Sequence, residues 1–263
     1  SGRYSITFNG EIYNYRVIRA QLESLGVRFR TQSDTEVLLY AHITWGAECL
    51  QSLNGMFAFA IWDDLDKRLF LARDRLGEKP LYYSRLPGNG IVFASELKAL
   101  RLHPAVSRRI NPRAVSQFLS HNYVLGDECI IDGVQKLPPA HYLIVEAGKT
   151  HAPQCYWSLA KYFREKRSFG SEDEATDELN SLIKDAVDIR LVSDVPLGAF
   201  LSGGLDSSTI VAAMNRLRPP RQNLTFSIGF PEDSFSELPK ARFVAEYLGV
   251  QHQDQIVDGN MAS

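Results

Sequence analysis

Residues 200–208 read FLSGGLDSS, placing two glycines, three hydroxyls and one carboxylate within nine positions. The run before it, from Val195 to Leu201, is apolar and of strand type, and residues 208–217, STIVAAMNRL, carry apolar side chains at helical spacing. A strand, a tight loop and a helix N-terminus in that order suit anion binding. Free backbone N–H groups and the positive end of the helix dipole converge on one spot. Gly203 and Gly204 are expected to let the backbone approach closely, with φ angles denied to other residues. Ser202, Ser207 and Ser208 can add hydroxyl donors. Asp206 would repel a bare phosphate, so its presence implies Mg²⁺ between the carboxylate and the phosphate oxygens. A kinase-type loop carries a lysine after its last glycine, and this loop has none. It reads as a cradle for the β,γ-pyrophosphate of ATP, suited to cleavage between the α and β phosphates. The plainer reading is a strand-to-helix turn with a serine N-cap. The full SGGLDSS run, between an apolar strand and an amphipathic helix, is more specific than that.

The loop resembles the signature of the ATP-pyrophosphatase (PP-loop) family. Its lead-in, residues 193–198, SDVPLG, narrows the resemblance to the asparagine synthetase branch. The elements around it predict a parallel α/β sheet. A capping box at Ser171 and Glu174 opens a helix through Ala175, Leu179, Leu182, Ile183, Ala186 and Ile189. Strands follow at residues 195–201, 224–230 and 253–257, with a helix over 236–248. Ligands bind at the carboxyl ends of such strands. Leu201 and Ile228 lie there; the residues alone favour sheet core for both, and the resemblance implies backbone contact with the adenine and ribose of ATP. Asp233 and Glu237 are further candidates for the site, against the plainer reading of solvated loop acids.

The first half carries a second set of candidates. Asn9-Gly10-Glu11 follows an alternating strand from Arg3 to Phe8. On local rules Asn9 and Gly10 make a turn, with Asn14 capping a helix over 15–25. Asp34 is placed to cap the next helix, or to receive an ammonium group. Strands at 56–62, 68–73, 81–83 and 91–94, followed by a short helix over 95–100, suggest a layered α+β domain with antiparallel sheets. Residues 73–80, RDRLGEKP, read as a structural loop near the core.

Five segments in order, NGEIYN (9–14), QSDTEVL (32–38), NGMFAFAIWD (54–63), ARDRLGEKPLYY (72–83) and FASELKAL (93–100), resemble the glutaminase half of class II glutamine amidotransferases. With the second half they resemble the glutamine-hydrolysing asparagine synthetase family over nearly the whole chain. The resemblance implies an Ntn-hydrolase-like first domain (1–157), a linker (158–170) and a PP-loop domain (171–263). It implies that Asn9 and Gly10 form an oxyanion hole, that Asn9, Gly10 and Glu11 line the glutamine site, and that Asp34 holds the glutamine ammonium. ATP would be bound by Leu201, Ser202, Gly203, Gly204, Asp206, Ser207, Ser208 and Ile228, with Mg²⁺ at Asp206. The implied reaction amidates aspartate with glutamine-derived ammonia through β-aspartyl-AMP. Rival readings are amidation of another carboxylate, such as a sugar acid or peptide, and a non-catalytic nucleotide-binding or dimerising module.

The family's N-terminal cysteine nucleophile has no counterpart among Cys49, Cys129 and Cys155, all three of which are expected to be small buried hydrophobes. The chain as given opens at Ser1 in a strand-like run, and so reads as an interior piece that should not hydrolyse glutamine by itself. The 263 residues, 44% hydrophobic and 23% charged with a net charge of −2, suffice for two cores. They point away from nucleic-acid and membrane partners, and the odd, scattered cysteines suit a reducing cytoplasm. A homodimer is left open.

Overall fold

A computed structural model describes residues 2–193, 195–231 and 236–257. Ser1, Asp194 of the SDVP run and Asp233 lie outside them. The chain divides into two units, residues 1–166 and 167–263.

The first unit is built on an antiparallel sheet of β1 (Tyr4–Ile12), β2 (Gly55–Asp63), β3 (Arg68–Arg73), β7 (His141–Glu146) and β8 (Lys149–Thr150), with β9 (Gln154–Cys155) also pairing with β7. A second antiparallel sheet has β4 (Tyr82–Arg85) between β5 (Ile91–Ala94) and β6 (Val134–Lys136). Alternation sends Phe57, Phe59 and Ile61 of β2 to one face and Ala58 and Ala60 to the other. The aromatic face packs against α1 (Tyr15–Ser24), α2 (Asp34–Trp45) and α3 (Cys49–Ser52) through Ile18, Leu22, Leu38 and Leu50. The alanine face packs against Tyr83 and Phe93 of the second sheet and Leu81 just before it. Small side chains on that face let the two sheets approach. A third cluster holds α4 (Leu97–Leu100) by Leu100 among Val106, Ile131 and Val134. Two more helices follow, α5 (Pro112–His121), capped by the Asn111 side chain, and α6 (Leu159–Arg164), which lies within the stretch read as a linker.

Asn9 and Gly10 are not in a turn; they sit inside β1, with Gly10 opposite Phe57. The turn signal is overridden by close strand packing. A Cβ at Gly10 would collide with the Met56 carbonyl oxygen and lie 2.7 Å from Phe57 Cα, at a φ of +153°. Asn14 occupies the N-cap position of α1 without capping it. Its carboxamide donates to Ser52 O at 2.8 Å and accepts from Asn54 N–H at 2.9 Å, fixing the start of β2 instead. Asp34 is not the cap of α2 either. Ser33 is, its hydroxyl accepting from Thr35 N–H at 3.0 Å, and Asp34 is the first helical residue.

Residues 73–80 are structural, as their dense charge suggested. Asp74 is 1% exposed. Its Oδ1 accepts from Leu76 N–H at 3.1 Å and Glu78 N–H at 2.8 Å, and its Oδ2 from Phe57 N–H at 3.1 Å and Lys79 N–H at 3.0 Å. Arg73 donates to the carbonyls of Lys79, Leu137 and Gly77. Tyr156, whose phenol is raised above its ordinary pKa by burial, donates to Arg73 O at 2.8 Å.

The second unit has α7 (Glu172–Asp188), β10 (Gly198–Phe200), α8 (Leu205–Leu217), β11 (Leu224–Gly229), α9 (Leu238–Leu248) and β12 (Gln251–Ile256). The strands form a parallel sheet in the order β10-β11-β12. Leu201, Val211, Ala241 and Ala245 make one core, and Val187, Leu191, Ala213 and Met214 another. Of the apolar stripe expected on α7, Ile183 packs against the latter, while Leu179 and Leu182 stay exposed.

Candidate functional site

Two groups of candidates come together, one in each unit. In the first, the register of β1 decides which groups are free. Tyr13 N–H donates to Asn54 O and Asp64 N–H to Arg3 O, both at 2.8 Å. The hydrogen-bonded pairs therefore fall on odd residues of β1, and even residues direct their amides away from β2. β1 is an edge strand among the described residues. Ile12 N–H, on that outer side, donates to Asp34 Oδ2 at 3.0 Å. Gly10 N–H points the same way and has no acceptor among the described residues. The half-buried Asp34 is thereby held beside the end of the NGEI run. Asn9 and Glu11 project from the opposite face of the strand to Phe8 and Gly10, and are exposed. Asn9 Nδ2 donates to Ser95 Oγ at 3.0 Å. An amide side chain, a free backbone N–H and a carboxylate at one strand end can hold an oxyanion and an ammonium group.

The second group surrounds the N-terminus of α8, at the carboxyl ends of β10 and β11. Leu201 N–H donates to Phe226 O at 2.8 Å, extending the ladder by one residue, and Ser227 Oγ donates to Leu201 O. Leu201 is core, as its residue type suggested; Ile228 is not, and lies 55% exposed. Gly203 has a φ of +77°, and a Cβ there would lie 2.6 Å from the Lys240 carbonyl carbon of α9. Gly204 departs from expectation: its φ is −76°, open to any residue, because it is the N-cap of α8. The hydroxyls also differ from a set of free donors. Ser207 Oγ accepts from Ser202 N–H at 3.2 Å, Ser202 Oγ accepts from Gly204 N–H at 3.3 Å, and the two hydroxyls are 3.0 Å apart. Ser208 Oγ is buried without a partner among the described residues. What faces outward is the first turn of α8, whose amides have no intrahelical acceptor.

Asp206 stands in that first turn, exposed, with no hydrogen bond or ion pair among the described residues. No group of three or more metal-ligating side chains occurs among the described residues. One carboxylate does not make a metal site alone, but it fits a Mg²⁺ that arrives on a polyphosphate, which this ion holds with one or two carboxylates. Glu237 is exposed just before α9, its carbonyl accepting from Ala241 N–H.

Residues 1–157, more than half of the chain, match the family model described as a glutamine amidotransferase domain. The chain belongs to the glutamine amidotransferase domain family. Residues 178–262 match a second model, that of asparagine synthase. Among curated relatives, "Asparagine synthetase [glutamine-hydrolyzing] 3" of Bacillus subtilis is 40% identical over 80% of this chain and 33% of its own length. "Asparagine synthetase [glutamine-hydrolyzing] 1" of the same organism is 37% identical over 97% of this chain and 39% of its own length. "Amidase chry2" of Gibberella zeae is 31% identical over 92% of this chain and 37% of its own length. The chain thus spans a third to two fifths of the length of these relatives.

The cysteines depart from expectation at one position. Cys49 and Cys129 are buried, but Cys155, on the two-residue strand β9, is exposed. Burial pushes the Cys49 thiol up to about 12, so it is no thiolate near neutrality. A maleimide at neutral pH is expected to label Cys155 in the folded protein and Cys49 only on unfolding. Labelling of Cys49 at the rate of Cys155 would contradict this burial. The sequence reading does not mark Ser95 or Ser227, although the FASEL run carries a signal for the first; Asp74 lies in the 73–80 loop read as structural. No described helix is long and apolar enough to cross a membrane.

Proposed function

We propose that the protein is a glutamine-hydrolysing asparagine synthetase, with glutaminase residues 1–157, a linker over 158–170 and synthetase residues 171–263. The reading is carried by the order of two matches, amidotransferase then asparagine synthase, on one chain. Its first domain is read as Ntn-hydrolase-like and its second as a PP-loop fold. Asn9 Nδ2 and Gly10 N–H face the oxyanion formed when glutamine is attacked, Glu11 lies beside that substrate, and Asp34 takes its α-ammonium. In the second domain the first turn of α8 receives the outer phosphates of ATP. Ser202 and Ser207 then turn their hydroxyls from each other toward phosphate oxygens, and Leu201 and Ile228 flank the nucleoside. Asp206 would hold Mg²⁺, which supplies positive charge to the departing pyrophosphate when bound. Activation of aspartate as an acyl adenylate makes a poor acyl donor a good one. The same reading puts the protein in the cytosol, where an exposed Cys155 stays reduced.

The intact native protein, given ATP, glutamine and aspartate, is expected to form AMP and asparagine in equal amounts. Asp206→Ala should lower the rate of AMP formation by roughly 100-fold or more, the usual scale for losing charge stabilisation at a reacting centre. AMP formation indifferent to aspartate would remove asparagine synthetase. The relative named as an amidase favours a second reading, amidation of another carboxylate, which the same assay with sugar acids and peptides would reveal.

A further inference from the structure

We propose that Ser95 is a positioning residue for glutamine hydrolysis, acting through the carboxamide of Asn9; this rests on the reading of Asn9 as an oxyanion donor. Asn9 is exposed on an edge strand, where its terminal torsion would otherwise be free over a broad range. Its Nδ2 donates to Ser95 Oγ at 3.0 Å, and its side chain has no other partner among the described residues. That bond spans 86 positions of sequence and joins the two sheets of the first unit. Ser95 follows β5 directly and precedes α4, whose Leu100 is fully buried. The acceptor is therefore fixed to the core rather than to a mobile loop.

A carboxamide nitrogen carries two hydrogens. When Ser95 accepts one, the other is left at a set angle for a second acceptor. The carboxamide oxygen is also kept on the far side, where it does not oppose a growing negative charge. This is preorganisation: the donor is aimed before the charge appears. Thr7, Asn9 and Ser95 together line a cavity of about 250 Å³ whose walls include Ala58, Ala60, Leu81 and Phe93.

In the intact native protein, Ser95→Ala is expected to lower glutaminase kcat roughly tenfold, with the KM for glutamine and ammonia-driven synthesis within about twofold of wild type. Ser95→Thr, which keeps the hydroxyl, should restore kcat. In an Asn9→Ala background the Ser95→Ala change should have no further effect, since contacting residues that act as one do not add. An unchanged kcat, an equal loss of ammonia-driven synthesis, or a full Ser95 effect without Asn9 would each overturn the assignment. A wild-type protein that forms AMP from ammonia but never hydrolyses glutamine removes the Asn9 reading and this inference with it. One that hydrolyses glutamine while ignoring Ser95 removes this inference alone.

Discussion

Asp74→Ala is expected to lower the unfolding midpoint of the first unit by roughly 10 °C, or to prevent its folding. The carboxylate is the acceptor for the amides of Phe57, Leu76, Glu78 and Lys79. Removing it leaves four amides without their acceptor, that of Phe57 buried and those of Leu76, Glu78 and Lys79 part-buried. A buried donor left unsatisfied costs about 1–3 kcal/mol, so a total of about 4 kcal/mol or more is expected after partial relaxation. That is a large share of the roughly 5–15 kcal/mol that holds a domain together. Asp74→Asn should fall between, since it keeps one oxygen but turns an NH₂ group toward two amide donors. Thermal or urea denaturation of the three proteins reads this directly. Equal midpoints for wild type and Asp74→Ala would show that the loop is held by Arg73 and Tyr156 instead.

The second large effect separates two neighbouring glycines. Gly203→Ala is expected to destabilise the second unit by about 3 kcal/mol, combining a left-handed backbone with a collision. Its Cβ would sit 2.6 Å from the Lys240 carbonyl carbon and 2.8 Å from Ala241 N. Neither atom belongs to a flexible side-chain end, so α9 must shift. Gly204→Ala has an ordinary φ, and its nearest contact is Ser202 Oγ at 3.3 Å. It should fold with a midpoint close to wild type. On the proposed reading its ATP affinity should still drop by about tenfold or more, because a methyl group at the cap would stand where that reading brings the backbone against phosphate. Calorimetric unfolding and nucleotide titration of both variants distinguish the two roles. A Gly204→Ala protein that binds ATP as tightly as wild type would count against phosphate at this helix end.

The outline of the second unit was legible because its signals are local. A short apolar strand, a glycine-serine bend and a 3.6-residue repeat each sit within a dozen positions, and the parallel sheet follows from their alternation. The boundaries of β3 and β5 in the first unit were equally plain from alternation bounded by turn residues. The motif runs named the residues around Asn9, Asp34 and Asp206 without any coordinates. By itself, then, the order of residues determined the strand and helix pattern of the second unit, the strands β3 and β5, and the family they resemble.

What each position does there was decided by contacts that no local rule contains. Asn9-Gly10 looks like a turn until β2, some 45 residues later, lies against it too closely for a Cβ. Asp34 looks like a helix cap, yet it takes the amide of Ile12, whose direction depends on which residues of β1 pair with β2. Gly203 looks shaped for a ligand and is in fact pressed against α9. Ser95 is an unremarked serine until the second sheet brings it to Asn9. In each case the deciding neighbour is between 22 and 86 residues away in sequence for the bonded pairs. Propensity reports what a residue prefers among its immediate neighbours, whereas burial and strand pairing set which of its groups are left free to act.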